Sequence, residues 1–208
     1  MEIKKYPRLT AVGANRTGTV LGCNSDVDDH LPYGGYFTQE QLREIVNYAA
    51  KRHITVIPEI EMPGHTLAIL ASYPEYGCTG GPYEVGHKWG IYSDILCAGK
   101  EETFNFLEDI LDEVMDIFPS KYIHIGGDEA PKSKWVKCDR CQQRIREEGI
   151  KATEKQSAEN LLQGYFTRRI NAYLMQHGRK LIGWDEIAEC GIDTTATVMS
   201  WRGVTSRS

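Results

Sequence analysis

The chain has 208 residues and a net charge of −5, and is 41% hydrophobic and 25% charged, a globular composition with enough apolar material for a sizeable core. The acidic balance and the lack of a long basic run argue against a nucleic-acid partner. No apolar stretch approaches the roughly 20 residues that cross a membrane, and Met1-Glu-Ile-Lys-Lys-Tyr-Pro7 has no apolar signal-peptide core.

Residues 1–37 read as irregular, punctuated by Pro7, Gly13, Gly18, Gly22, Pro32, Gly34 and Gly35. Asn24-Ser-Asp-Val-Asp-Asp-His30 has the acids of a cation loop but not the glycine and distal glutamate of an EF-hand, so it reads as a solvated loop. Thr38-Gln-Glu-Gln41 is a capping box, and Leu42, Ile45, Val46, Ala49 and Ala50 follow it at helical spacing. A β-branched strand is expected over 54–59, ending in Glu61-Met-Pro-Gly-His65. Residues 72–100 form a long aromatic- and glycine-containing loop, a length that is often functional. A helix near 102–118 presents Phe104, Leu107, Leu111, Val114, Met115 and Phe118 on one face and stops at Pro119. A strand follows over 122–126, then a polar helix closing at Gly149, and a helix over about 157–177 ended by Gly178. Lys180–Trp184 and Thr197–Trp201 complete the strands.

Alternating helices and strands imply a parallel sheet with helical crossovers. The residues with chemistry all gather at the carboxyl ends of the strands: Glu61 and His65, Asp128 and Glu129, Trp184 and Asp185, Trp201. Successive strands contributing at one edge favour a (β/α)8 barrel over an open sheet. No phosphate-binding glycine fingerprint follows any strand. A barrel needs eight strands in about 250 residues, so residues 1–208 read as one partial barrel domain, truncated at both ends.

Tyr122-Ile-His124-Ile-Gly-Gly-Asp128-Glu129 is the chemical centre. Neighbouring strand residues face opposite ways, so Gly126-Gly127 has to bend the chain if both acids are to serve one site. Paired carboxylates suit proton transfer, and indoles at the same edge suit the apolar C–H faces of a sugar ring. Cys138-Asp-Arg-Cys141 reads as half a zinc site or a redox pair, and since no second ligand pair follows at zinc-site spacing no metal is expected, while Cys78 and Cys97 flank a loop and are candidates for pairing in an oxidising compartment.

His124-Ile-Gly-Gly-Asp128-Glu129 resembles the H-x-G-G-D-E signature of family 20 glycoside hydrolases, the β-N-acetylhexosaminidases. Pro58-Glu-Ile-Glu-Met-Pro-Gly-His65 is similar to that family's strand-three motif, Gly183-Trp-Asp-Glu186 to strand five, Ser200-Trp201 to strand six, and Ile3–Thr10 to the segment after strand two. The resemblance implies a TIM-barrel section of roughly strands three to six, of bacterial, periplasmic or secreted type. It also implies hydrolysis of terminal N-acetyl-β-hexosamine from glycans or chitooligosaccharides, with no cofactor. The implied mechanism is substrate-assisted and retaining: Asp128 orients the 2-acetamido group, and Glu129 protonates the leaving oxygen and later deprotonates water. His65 tunes Glu129, Trp184 and Trp201 wall the sugar, and His124, Glu61 and Asp185 support, with Asp185-Glu186 the rival acid pair. Family residues of the first two and last two strands fall outside the chain, so the piece alone is expected to be inactive. Two other readings are a carbohydrate-binding barrel without catalysis and a metal-dependent barrel hydrolase using His65, His124, Asp128 and Glu129.

Overall fold

The computed structural model describes residues 1–191 and 194–203. The N-terminal stretch is more ordered than its sequence suggests. A short helix α1 (Arg8–Ala11) precedes β1 (Asn15–Arg16), which pairs antiparallel with β2 (Tyr33–Gly34). Strands of two residues are too short to leave a periodic signal.

Helix α2 (Gln39–Ala50) begins at the predicted capping box: Thr38 Oγ1 accepts from Gln41 N–H, and Gln41 Oε1 accepts from Thr38 N–H. Leu42 and Ala49 are buried and Val46 half-buried, whereas Ile45 and Ala50 of the expected stripe are exposed.

Segment 54–60 is extended but is not the expected strand; it makes a single parallel bridge, Glu59 to His124. His124 N–H donates to Pro58 O and Ile60 N–H to His124 O, each at 2.9 Å. Extending this ladder backward needs an N–H from residue 58, which proline lacks.

Residues 67–98 contain α3 (Leu67–Ser72), a 3-10 turn (Pro74–Tyr76) and an antiparallel bridge from Gly77 to Leu96. The turn is anchored on Phe106, whose ring lies 4.2 Å from Tyr76 and 4.5 Å from Tyr6. The long loop is therefore a folded appendage, although Trp89 at its tip is exposed.

Helix α4 (Glu101–Ile117) buries the whole predicted face, and β3 (Tyr122–His124) follows, two residues shorter than expected. Next come α5 (Ser133–Val136), α6 (Asp139–Glu147) and α7 (Ala158–Gln176), the last capped by Ser157 Oγ and closed by Gly178 at φ 70°. Strand β4 (Lys180–Trp184), helix α8 (Glu186–Glu189) and β5 (Thr197–Met199) complete the described chain.

The three longer strands form a parallel sheet in the order β3-β4-β5, with Ile123 opposite Leu181 and Gly183 opposite Val198. Segment 54–60 lies along the free side of β3. Helices α4 and α7 cover one face, packing Phe104, Leu107, Phe166 and Ile170 into one core with Ile123, Ile125 and Leu181. Each such side chain contributes about 1.5–3 kcal/mol on full burial, so this layer fixes the strands whose ends carry the site. Ile54 and Ile57 on one flank, and Val198 and Met199 on the other, are exposed.

Candidate active site

Both acids of the central motif reach one cleft because the chain turns sharply after β3. Gly126 and Gly127 take φ of 67° and 92°, and Glu129 itself stands at φ 45°. A Cβ on Gly126 would lie 1.8 Å from Glu61 Oε2, so only glycine fits there. From α7, Gln163 Nε2 donates to Gly127 O at 2.7 Å and Lys132 Nζ donates to Gln163 Oε1 at 2.5 Å, which pins the bend from behind. Gly64 packs against it from the front, where a Cβ would come within 3.0 Å of Asp128 O.

Glu59, Glu61, His65, Asp128, Glu129, Trp184 and Trp201 line this open cleft of about 470 Å³. His65, in left-handed backbone at φ 52°, places Nε2 3.3 Å from Asp128 Oδ2 and 3.4 Å from Glu129 Oε2. One imidazole thus touches both acids.

The carboxyl pushed highest is Glu61. Burial comes first, and the charges of Asp128 and Glu59 add to it, raising the group from 4.5 to about 8. Glu61 therefore carries a proton at neutral pH. Its Oε2 and Asp128 Oδ1 are buried and meet no N–H or hydroxyl among the described residues, so the Glu61 proton is the donor that links it to Asp128.

His124 is buried behind the cleft, where desolvation lowers its pKa. The neutral ring accepts the Gly126 N–H on Nδ1 at 3.0 Å and meets the Trp184 indole edge-on at 4.8 Å. It stands apart from the His65, Asp128 and Glu129 group, so the four-ligand metal set considered from sequence does not assemble.

Asp185 is buried away from the cleft lining; burial opposes its ionisation, but Arg202 at 3.2 Å holds its pKa below the ordinary value. Glu186 accepts the Trp201 indole N–H at 3.1 Å. The rival acid pair is thus occupied by Arg202 and Trp201.

Three participants escaped sequence reasoning. Glu59 Oε1 accepts the Trp184 indole N–H at 2.8 Å and so orients that ring, while lying 3.2 Å from His124 Nδ1 without a hydrogen bond to it. Its period-two relation to Glu61 was the available signal. Gln163 and Arg202 carried none, lying on a helix and in a loop respectively.

The cysteines also depart from expectation. All six are free, and Cys78 and Cys97 do not pair. Their sulfurs instead meet those of Cys138 and Cys141.

A parallel βα array with acids and indoles at the carboxyl ends of its strands has the layout in which α/β folds, barrels and open sheets alike, place their ligand sites. The chain belongs to glycosyl hydrolase family 20: the profile of that family's catalytic domain matches residues 1–208. A beta-hexosaminidase of Porphyromonas gingivalis is 50% identical over 98% of this chain and 24% of its own length. One from Vibrio furnissii is 35% identical over 97% of this chain and 32% of its own. The crystal structure of beta-N-acetylhexosaminidase from Bacteroides fragilis superposes with a TM-score of 0.77 at 39% identity, covering 96% of this chain and 36% of that one. A Streptomyces plicatus beta-hexosaminidase solved in complex with product GlcNAc gives 0.73 at 28% identity, covering 98% and 34%. The chain thus spans about a quarter to a third of the length of these relatives.

Proposed function

We propose that this chain carries the catalytic acids of a β-N-acetylhexosaminidase, contributing roughly strands three to six of a TIM barrel whose other strands lie elsewhere in the full protein. The exposed apolar flanks at Ile54 and Ile57 and at Val198 and Met199 support that reading, since further strands on either side would cover them. So does the greater length of the relatives. The full protein acts on terminal N-acetylhexosamine of glycans or chitooligosaccharides, in a periplasmic or secreted setting.

The observation that carries the reading is His65 Nε2 within 3.4 Å of both Asp128 and Glu129 at the wall of one cleft. In a substrate-assisted reaction the sugar's own acetamido oxygen attacks the anomeric carbon and forms an oxazolinium, which water opens with retention. Asp128, in the cleft lining beside His65, accepts the acetamido N–H and offsets the developing positive charge. Glu129, on the half-open side of the bend, gives its proton to the leaving oxygen and takes one from water. His65 positions the two carboxyls, and Trp184, oriented by Glu59, walls the sugar together with Trp201.

The test is turnover of an aryl N-acetyl-β-glucosaminide by the full chain. Glu129→Gln lowers kcat by at least ~10²-fold, the loss expected for a general acid; wild-type turnover in that variant rejects the assignment. Unchanged activity after chelation excludes a metal-dependent reading of His65, Asp128 and Glu129.

A further inference from the structure

We propose that Cys78, Cys97, Cys138 and Cys141 form a closed, structural zinc site that fastens the loop after His65 to the segment after Glu129. Their four sulfurs lie within 4.8 Å of one another. Three of the separations are 3.8 Å (Cys78 to Cys141), 3.7 Å (Cys97 to Cys138) and 3.6 Å (Cys97 to Cys141). Zinc binds thiolates at about 2.3 Å in a tetrahedron, which sets sulfur–sulfur edges of about 3.8 Å. The cage already has the size of the ion's coordination sphere.

The sharing of neighbours argues against disulfides. Cys97 lies 3.7 Å from Cys138 and 3.6 Å from Cys141, and Cys141 lies as close to Cys97 as Cys97 does to Cys138, so the sulfurs do not sort into two exclusive pairs. Cys97, Cys138 and Cys141 are buried and Cys78 is half-buried. Four ligands in a mostly buried cage leave no open position, which is the structural rather than the catalytic form of a zinc site.

The surrounding chain is built to hold the cage. Cys97 N–H donates to Tyr76 O at 2.8 Å, bringing the first two cysteines together. Trp135 Nε1 donates to Leu96 O at 2.9 Å, joining that loop to α5. A Cβ on Gly99 would lie 2.2 Å from the Arg140 carbonyl carbon, so glycine lets the loop touch the turn between Cys138 and Cys141. The four thiols release their protons to solvent as the dication binds, leaving a cage with two net negative charges. Lys134, which pairs with Asp94 at 3.2 Å, and Lys137 line its mouth, and Lys137 can offset part of that charge.

The fastening has a consequence for the cleft. The loop that contributes Cys78 and Cys97 begins at the His65 turn, where Leu96 N–H donates to Pro63 O at 3.0 Å. Cys138 and Cys141 follow the Asp128-Glu129 bend on the same chain segment. A metal here holds two sides of the site in register.

Elemental analysis of the full chain, purified from a reducing host without chelator, decides the matter. One zinc per chain is expected, lost in Cys97→Ser and Cys141→Ser and kept in Cys23→Ser, whose thiol is exposed and outside the cage. Exchange with cobalt(II) should give the visible bands of tetrahedral cobalt thiolate, a readout on the wild-type chain that does not depend on how the variants fold. A metal-free chain overturns the proposal, whether its thiols are free or mapped as Cys78–Cys141 and Cys97–Cys138 disulfides. Iron in place of zinc, or full zinc retention in soluble Cys97→Ser, overturns it equally.

Discussion

Two clusters of ionisable side chains hang on one stretch of chain, and they are built in opposite ways. The carboxylates around Asp128 and Glu129 line an open cleft, where burial and then the charges of Asp128 and Glu59 keep Glu61 protonated. The thiols around Cys138 and Cys141 are packed away, mutually satisfied and bounded by backbone hydrogen bonds. An open cleft lined by acids with a perturbed pKa marks the place where a substrate completes the structure. A closed polar cluster marks a place that holds the structure together. The contrast predicts that changes in the first cluster damage rate and changes around the second damage stability.

The largest effect is expected at Trp135, fully buried between the two loops. Trp135→Ala should cost about 3–5 kcal/mol of stability, read by denaturant unfolding of the full chain; an unchanged midpoint would break the structural half of the comparison. Glu129→Gln comes next, at ~10²-fold in kcat, with a melting temperature close to wild type. Gly126→Ala tests the border between the two kinds of damage. It forces an L-residue into φ 67° and a methyl into Glu61, so it should lose about 1–3 kcal/mol of stability and activity together. A variant that lost neither would mean that the bend does not depend on glycine.

The smallest effect is a pH slope. Folding raises Glu61 from 4.5 to about 8, so the folded chain keeps a proton that the unfolded chain has released. The stability from that proton is complete below pH 4.5 and is lost as pH rises through about 8. Melting temperatures measured from pH 5 to pH 9 should fall more steeply for wild type than for Glu61→Gln. Parallel curves would place the proton elsewhere.

Much of the acid cluster was legible because its residues sit in short contiguous motifs. A glycine pair before two carboxylates implies a bend, and strand ends share an edge in a parallel array. The helices were legible for a similar reason: Thr38, Pro119 and Gly178 mark ends in one-dimensional terms, whereas the Ser157 cap of α7 came from the structure. The expected strand at 54–59 failed on hydrogen-bond bookkeeping, because Pro58 withholds the N–H that a second bridge needs. Glu59 was overlooked because its partner, Trp184, comes from another strand. The thiol cluster was least legible. Its second ligand pair is not a spaced motif but two single cysteines brought together by the Gly77–Leu96 bridge and by Phe106 under Tyr76. Sequence spacing records ligand pairs on one turn and is silent about pairs made by packing.

The central claim is that Asp128 and Glu129 do different jobs, and leaving-group dependence tests it most directly. In the full chain, Glu129→Gln should slow hydrolysis steeply for poorly departing alcohols and only slightly for a dinitrophenyl leaving group, which needs no proton. Asp128→Asn should slow both alike, because the substrate's nucleophile is lost whatever departs. Equal losses across leaving groups in Glu129→Gln would contradict the account.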